Sequence, residues 1–138
     1  MIVVDASVAV LWWLPQPRAT AAMTVLSSHT VLIAPSLIQL EVASALLRAL
    51  RRSEMDRDTV ARVVSYLLPS SVGFDDRHGD VDAALALAQQ FGGSVHDALY
   101  VALARRLDAP LVTDDARMRS VALSAGVQAR LLGDEPFP

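Results

Sequence analysis

Ile2-Val-Val-Asp-Ala-Ser7, at the start of the chain, and Pro110-Leu-Val-Thr-Asp-Asp115, near its end, decide the fold. Each is a short apolar run without polar alternation, closed by aspartate and followed by a helical pattern. Strands that are apolar throughout are buried on both faces, as in a parallel sheet covered by helices. An aspartate at the end of such a strand lies at the carboxyl edge, where open α/β sheets bind ligands.

The pattern alternates outward from these two runs. An apolar helix follows from about Ala6 and is broken at Pro15-Gln-Pro17, and Pro17 opens a second helical stretch through Ser27. Thr30 to Ala34 is a β-branched strand. Pro35-Ser36 opens a helix to about Arg52, with Ser36 and Gln39 at capping-box spacing and Arg48, Arg51 and Arg52 in its last turns. An amphipathic helix from Asp56 to Leu68 stops before Pro69, and Ser71 to Phe74 reads as a third strand. Asp80 to Phe91 is helical and closed by Gly92-Gly93. Ser94 caps a helix from Val95 to about Leu107, Ala116 to Ala125 is a helix stopped at Gly126, and Val127 to Leu132 is a last strand. This predicts an α/β fold: a central, mostly parallel β-sheet flanked by helices on both faces. With 138 residues and neither repeat nor linker, one domain spanning 1–138 is expected.

Composition removes several chemistries. There is no cysteine, hence no disulfide, thiolate site or Cys nucleophile, and all 12 basic residues are arginine. The longest apolar-and-small run, Ala6 to Leu14, is far below the roughly 20 residues of a membrane span, and Met1 leads straight into a strand with no signal-like segment. A cytoplasmic protein, with no membrane association, is the expectation. A net charge of −3 argues weakly against nucleic-acid binding, unless carboxylates converge on a metal while arginines elsewhere grip phosphate.

Four acids stand out: Asp5, Glu41, Asp97 and Asp115. Singly, each has a plain explanation. Asp5 and Asp115 are placed to cap the helices that follow them, and Ser94-Val-His-Asp97 is a capping box. Glu41 is the one charge between Ser36 and Arg48, sharing a helical face with Ser44 and Arg48, and reads equally as an exposed glutamate. Together they read differently, because a parallel sheet can bring two strand-end acids, a helix first turn and a helix face to one edge. Carboxylates gathered there repel until a hard divalent cation, Mg²⁺ or Mn²⁺, neutralises them. Such a centre activates water and stabilises charge on a phosphate.

In order and spacing these segments resemble the PIN-domain ribonucleases, and within them the VapC-type toxins of bacterial toxin–antitoxin pairs. Ile2-Val-Val-Asp-Ala-Ser7 with Trp13-Leu-Pro15 is similar to the first motif. Leu40-Glu-Val-Ala-Ser-Ala-Leu46 is similar to the second, Ser94-Val-His-Asp-Ala-Leu-Tyr-Val-Ala-Leu-Ala104 to the third, and Pro110-Leu-Val-Thr-Asp-Asp115 to the Thr-x-Asp fourth. The resemblance implies Asp5, Glu41, Asp97 and Asp115 as catalytic, metal-binding acids, with Ser7 and Thr113 as supporting hydroxyls. It makes Asp114 the variable position. It also implies Mg²⁺ (or Mn²⁺) as cofactor, RNA as substrate, a homodimer, and a VapB-type antitoxin whose C-terminal segment occupies the active-site groove.

Two departures stand out. Ser44 replaces a common Asn and can still hydrogen-bond as a supporting residue, and His96 replaces a common Tyr. His96 is either an RNA contact or a surface histidine. Arg48, with Arg51 and Arg52, either grips phosphate or complements the helix dipole. Arg117 and Arg119 are candidates for the groove rim. The apolar residues around Trp12, Trp13 and the Leu37–Leu50 helix suit either partner contacts or core packing.

Other readings share the layout. A phosphoacceptor receiver domain, a P-loop protein and a haloacid-dehalogenase-like phosphatase each use a lysine, which this chain lacks. A catalytically inactive PIN-fold binding module, and an RNA-processing nuclease outside any toxin–antitoxin pair, stay open.

Overall fold

Val3 and Val4 are neighbours in a strand, so their side chains point to opposite faces of the sheet, and both are fully buried. Leu111 and Val112 repeat the pattern. Both faces of the sheet centre are therefore covered, as non-alternating apolar runs require. The computed structural model describes residues 1–28 and 30–134. Its elements are β1 (Ile2–Val4), α1 (Ala6–Val10), α2 (Ala19–Ser27), β2 (Leu32–Ala34), α3 (Leu37–Arg51), α4 (Arg57–Ser65), β3 (Val72–Phe74), α5 (Asp80–Phe91), α6 (Val95–Leu107), β4 (Leu111–Thr113), α7 (Ala116–Ser124) and β5 (Ala129–Leu131).

The strands form one sheet in the order β3-β2-β1-β4-β5, and every pairing among the described residues is parallel. The sheet is thus wholly parallel rather than mostly so. At its centre Val3 lies opposite Leu111 and Val4 opposite Val112. The chain runs outward from β1 to β2 and β3, then returns to place β4 on the other side of β1. That reversal leaves a crevice at the carboxyl ends of β1 and β4.

Three local expectations are corrected. The helix after β1 ends at Val10 rather than at the prolines, and Leu11 to Trp13 continue as turns bonded to Val8, Ala9 and Val10 carbonyls. Helix α4 stops at Ser65, because Tyr66 adopts an extended backbone. Ser36 does not form a capping box: its own backbone is helical and its side chain caps nothing. Asp76, in the loop after β3, instead accepts the Ser36 N–H at 2.9 Å.

The tryptophans are packing residues. Trp12 donates its indole N–H to the Ala22 carbonyl at 3.0 Å, and Trp13 donates to the Leu67 carbonyl at 2.9 Å. Both rings are half-buried against the core, and Arg62 lies over the Trp13 ring.

An ion cluster at the β3 side was not foreseen. Arg106, near the end of α6, grips Asp80 at the start of α5 with both prongs of its guanidinium, at 2.9 Å each. It also reaches Asp75, just after β3, at 3.0 Å. Burial pushes the Asp80 pKa up, but hydrogen bonds from Arg106 and the Arg77 backbone, with both arginine charges, outweigh it and leave it below 3.8. A depressed carboxylate stabilises the fold above its unfolded pKa, and that contribution disappears as pH falls through the folded value. Arg106→Ala should therefore lower unfolding free energy by about 2–3 kcal/mol at neutral pH, because it leaves buried Asp80 with only the Arg77 N–H and Asp75 with only a longer contact to the Arg77 guanidinium. Urea titration should show that gap narrowing at about pH 3, where Asp80 is protonated in the unfolded chain.

Candidate active site

The centre of the site is a buried carboxylate. Asp5 leaves β1 with extended backbone and caps α1, accepting the Val8 N–H at 3.2 Å. Ser7 donates its hydroxyl to Oδ1 at 2.7 Å, and Thr113, the last residue of β4, donates to Oδ2 at 2.7 Å. The two hydroxyls also accept from the neighbouring strand end: the Asp114 N–H reaches Ser7 Oγ at 2.8 Å, and the Asp115 N–H reaches Thr113 Oγ1 at 3.0 Å. The β1 acid and the β4 acids are thus joined through two hydroxyls, the ones expected to support the site.

Asp5 is only 2% exposed. Burial raises its pKa from 3.8 to about 6, against the lowering effect of hydrogen bonds from Ser7, Thr113 and Val8 and with a further push from the Asp97 charge. Three donors do not fully replace the water this carboxylate has lost.

Asp115 caps α7, its Oδ1 accepting from Arg117 and Met118 N–H groups at 2.8 and 3.2 Å. Asp97 lies in the first turn of α6, where Ser94 Oγ accepts its N–H at 3.0 Å. The capping roles of Asp5, Asp115 and Ser94 are real, and they orient the acids rather than excluding them from chemistry. Glu41 projects from the middle of α3, and the Tyr100 hydroxyl donates to its Oε2 at 2.5 Å.

Tyr100 was missed in the sequence. The available signal was its place three residues after Asp97, hence on the same helix face, together with the need of a buried phenol for a partner. It is 1% exposed. Burial first, then the hydrogen bond and charge of Glu41 and the charge of Asp5, push its pKa well above the ordinary 10. The hydroxyl therefore remains a donor to Glu41 throughout the physiological range.

Asp5, Glu41, Asp97 and Asp115 all line one open cleft of about 730 Å³, with Ser7, Ser44, Arg48 and His96 among its walls. Thr113 lies behind it, fully buried. Arg117 does not line it. It is exposed in the first turn of α7, with its backbone N–H bonded to Asp115. Arg51, Arg52 and Arg119 are likewise outside the lining. The acids share a cleft without closing into a ligand shell: among the described residues, no three come close enough to hold one cation together. Like charges keep apart unless neutralised, and each carboxylate except Asp97 is held by protein donors in its own direction.

A family model described as PIN domain matches residues 2–123. The chain belongs to the PIN-domain family. It is similar to ribonuclease VapC1 of Mycobacterium tuberculosis, with 33% identity over 118 residues that cover 84% of this chain and 86% of that one. The fold is shared with PAE2754 of Pyrobaculum aerophilum (TM-score 0.70, 23% identity, 93% of this chain and 89% of the other). It is shared also with Mycobacterium tuberculosis VapC20, described as a sarcin-ricin loop cleaving toxin (TM-score 0.67, 19% identity, 87% and 94%). These likenesses place the chain among the VapC-type PIN domains.

The oxygen-only donor set of this PIN domain, and the under-compensated charge of Asp5, fit a hard divalent cation. The raised Asp5 pKa also has a consequence for stability. A carboxylate whose folded pKa lies above its unfolded value supports the fold below about pH 4, and that support is lost as pH rises through about 6. Asp5→Asn removes the charge at nearly constant size, with the amide oxygen accepting from Ser7 and Val8 and the amide NH2 donating to Thr113 Oγ1, whose hydroxyl turns away. In EDTA near neutral pH it should unfold later than wild type, by up to about 3 kcal/mol, with the difference vanishing in acid. Urea midpoints across pH measure this, and an unchanged or lowered neutral midpoint would contradict it.

Proposed function

We propose that this PIN domain is a divalent-metal-dependent endoribonuclease that hydrolyses RNA phosphodiester bonds as the toxin of a VapBC-type toxin–antitoxin pair. The observation that carries the proposal is the Asp5–Ser7–Thr113 network at the sheet's reversal point, opening into a cleft walled by four further acids, Glu41, Asp97, Asp114 and Asp115. Kinship with proteins named ribonuclease VapC supports the substrate class.

Asp5, Asp97, Asp115 and Glu41 would hold Mg²⁺ or Mn²⁺. When bound, such an ion supplies Lewis-acid polarisation of phosphate and a water of lowered pKa. The protein's own residues do the placing. Ser7 and Thr113 fix the two oxygens of Asp5, Tyr100 fixes one oxygen of Glu41 and leaves the other open, and the Ser94 cap fixes the turn that bears Asp97. Arg48 stands exposed at the cleft wall about two turns along the same helical face as Glu41, where a guanidinium can grip the RNA backbone. His96 beside Asp97 is a second contact for RNA.

The partners that go with this function are RNA, a VapB-type antitoxin whose C-terminal segment enters the same cleft, and a second copy of the chain. A cytoplasmic location goes with it too. No helix among the described residues is long and apolar enough to cross a membrane.

The test is incubation with total bacterial RNA, with Mg²⁺ or Mn²⁺ and with EDTA, beside an Asp97→Asn variant. Cleavage by wild type should require the metal, and the folded variant should be slower by about a hundredfold or more, because the substitution removes ligand charge at constant shape. Equal inertness of both proteins across several RNAs would favour a PIN-fold binding module instead. Alanine at His96 with full cleavage would remove that residue from the RNA contacts.

A further inference from the structure

The fourth motif carries two adjacent aspartates, and both line the cleft. Their backbone amides are held alike, Asp114 by Ser7 and Asp115 by Thr113. Their side chains diverge. Asp115 caps α7. Asp114 meets Arg18, whose Nε lies 2.7 Å from its Oδ1. Arg18 comes from the turn between α1 and α2, close to Gln16, which itself lines the cleft. Its Nη2 also donates to the Leu132 carbonyl, just beyond β5.

The arginine side chain is 47% exposed and that of Asp114 22%, so water screens the pair in part and its contribution to folding is modest. Its larger effect is on the field inside the cleft. A carboxylate already neutralised by a guanidinium is a poor ligand for a further cation. Without Arg18, Asp114 would add a negative charge beside Asp5 and Asp115. Without Asp114, Arg18 would leave an uncompensated positive charge at the same wall.

We propose that Arg18 is a positioning residue of the acidic centre, withdrawing Asp114 from the metal-binding set so that Asp115 alone serves from the fourth motif. The inference rests on the metal-dependent reading above and extends it to a residue outside the four motifs. It makes the Arg18–Asp114 pair a neutral unit whose two halves act on a bound divalent ion with opposite sign.

The experiment is calorimetric titration with Mn²⁺ alone, on wild type, Arg18→Ala, Asp114→Asn and the double variant. Arg18→Ala should bind Mn²⁺ about fivefold more tightly and Asp114→Asn about fivefold more weakly, the effect of one charge on a divalent ion across a largely aqueous gap. The double variant should return to within about twofold of wild type. Should thermal melting show the alanine variant unfolded, Arg18→Gln keeps reach to the Leu132 carbonyl and should show the same tightening. A purely structural clasp would weaken binding in both single variants. That outcome overturns the proposal, as does an unchanged affinity in either. A wild-type protein that binds no Mn²⁺ overturns the metal-dependent reading and this proposal with it. Normal wild-type binding with unshifted variants removes the role of Arg18 alone.

Discussion

A carboxylate held out of water at the junction of two parallel strands is the constraint on which the rest of this molecule depends. Asp5 can stay there because two hydroxyls and one amide face it, and those hydroxyls are themselves fixed by the amides that follow β4. The register of β1 against β4 sets where Thr113 falls, so the sheet and the site are one geometric problem. The solution is incomplete by design of its chemistry: the donors satisfy the carboxylate's geometry but not its charge. Folding stability is given up at the position where a cation would be gained, the usual relation between active sites and the stability of their scaffolds.

Helix α6 supplies the second frame. Its first turn carries Asp97, its next turn carries Tyr100, which holds Glu41, and its last turn carries Arg106, which is locked to Asp80 and Asp75. A single rigid rod therefore links two of the four acids directly to an ion cluster at the β3 side of the sheet. The buried stripe from Ala98 to Ala104 presses the same rod against the core. Small alanines on this stripe let the helix pack closely, chiefly against α5, and the length of the tyrosine side chain spans the wider gap to α3.

Much of this was readable in the chain, and the readable part was local. Strand runs such as Ile2-Val-Val and Leu111-Val-Thr carry their burial in their own composition, and Asp5, Asp115 and Ser94 carry their caps in their positions. Three of the four acids could be placed on one edge because strand ends and helix first turns have fixed places in a parallel sheet, while Glu41, on a helix face, was placed by the motif resemblance. What stayed hidden were side-chain pairings between distant segments. Asp76 caps α3 across 40 residues, Tyr100 meets Glu41 across 59, and Arg106 meets Asp80 across 26. No periodicity announces such partners, since each depends on helix rotations that only packing decides. Arg117, close to Asp115 in sequence, is exposed and is not among the residues that line the cleft. The adjacent aspartates were told apart in the sequence only by the Thr-x-Asp resemblance, whereas in the structure their side chains part, Asp115 capping α7 and Asp114 meeting Arg18.

The cap on α3 carries a consequence for how the molecule comes into being. The helix that bears Glu41 receives its amino-terminal cap from Asp76, and the first acid receives one of its three hydrogen bonds from Thr113 at the end of β4. A growing polypeptide on the ribosome thus holds the first acid long before it can hold the last, and no partial product can assemble the centre. Thr113 and Asp115 must emerge before the cleft exists. For a protein whose activity would be directed at RNA, the order of synthesis is itself a safeguard: the cleft cannot form until the segment after β4 has been made.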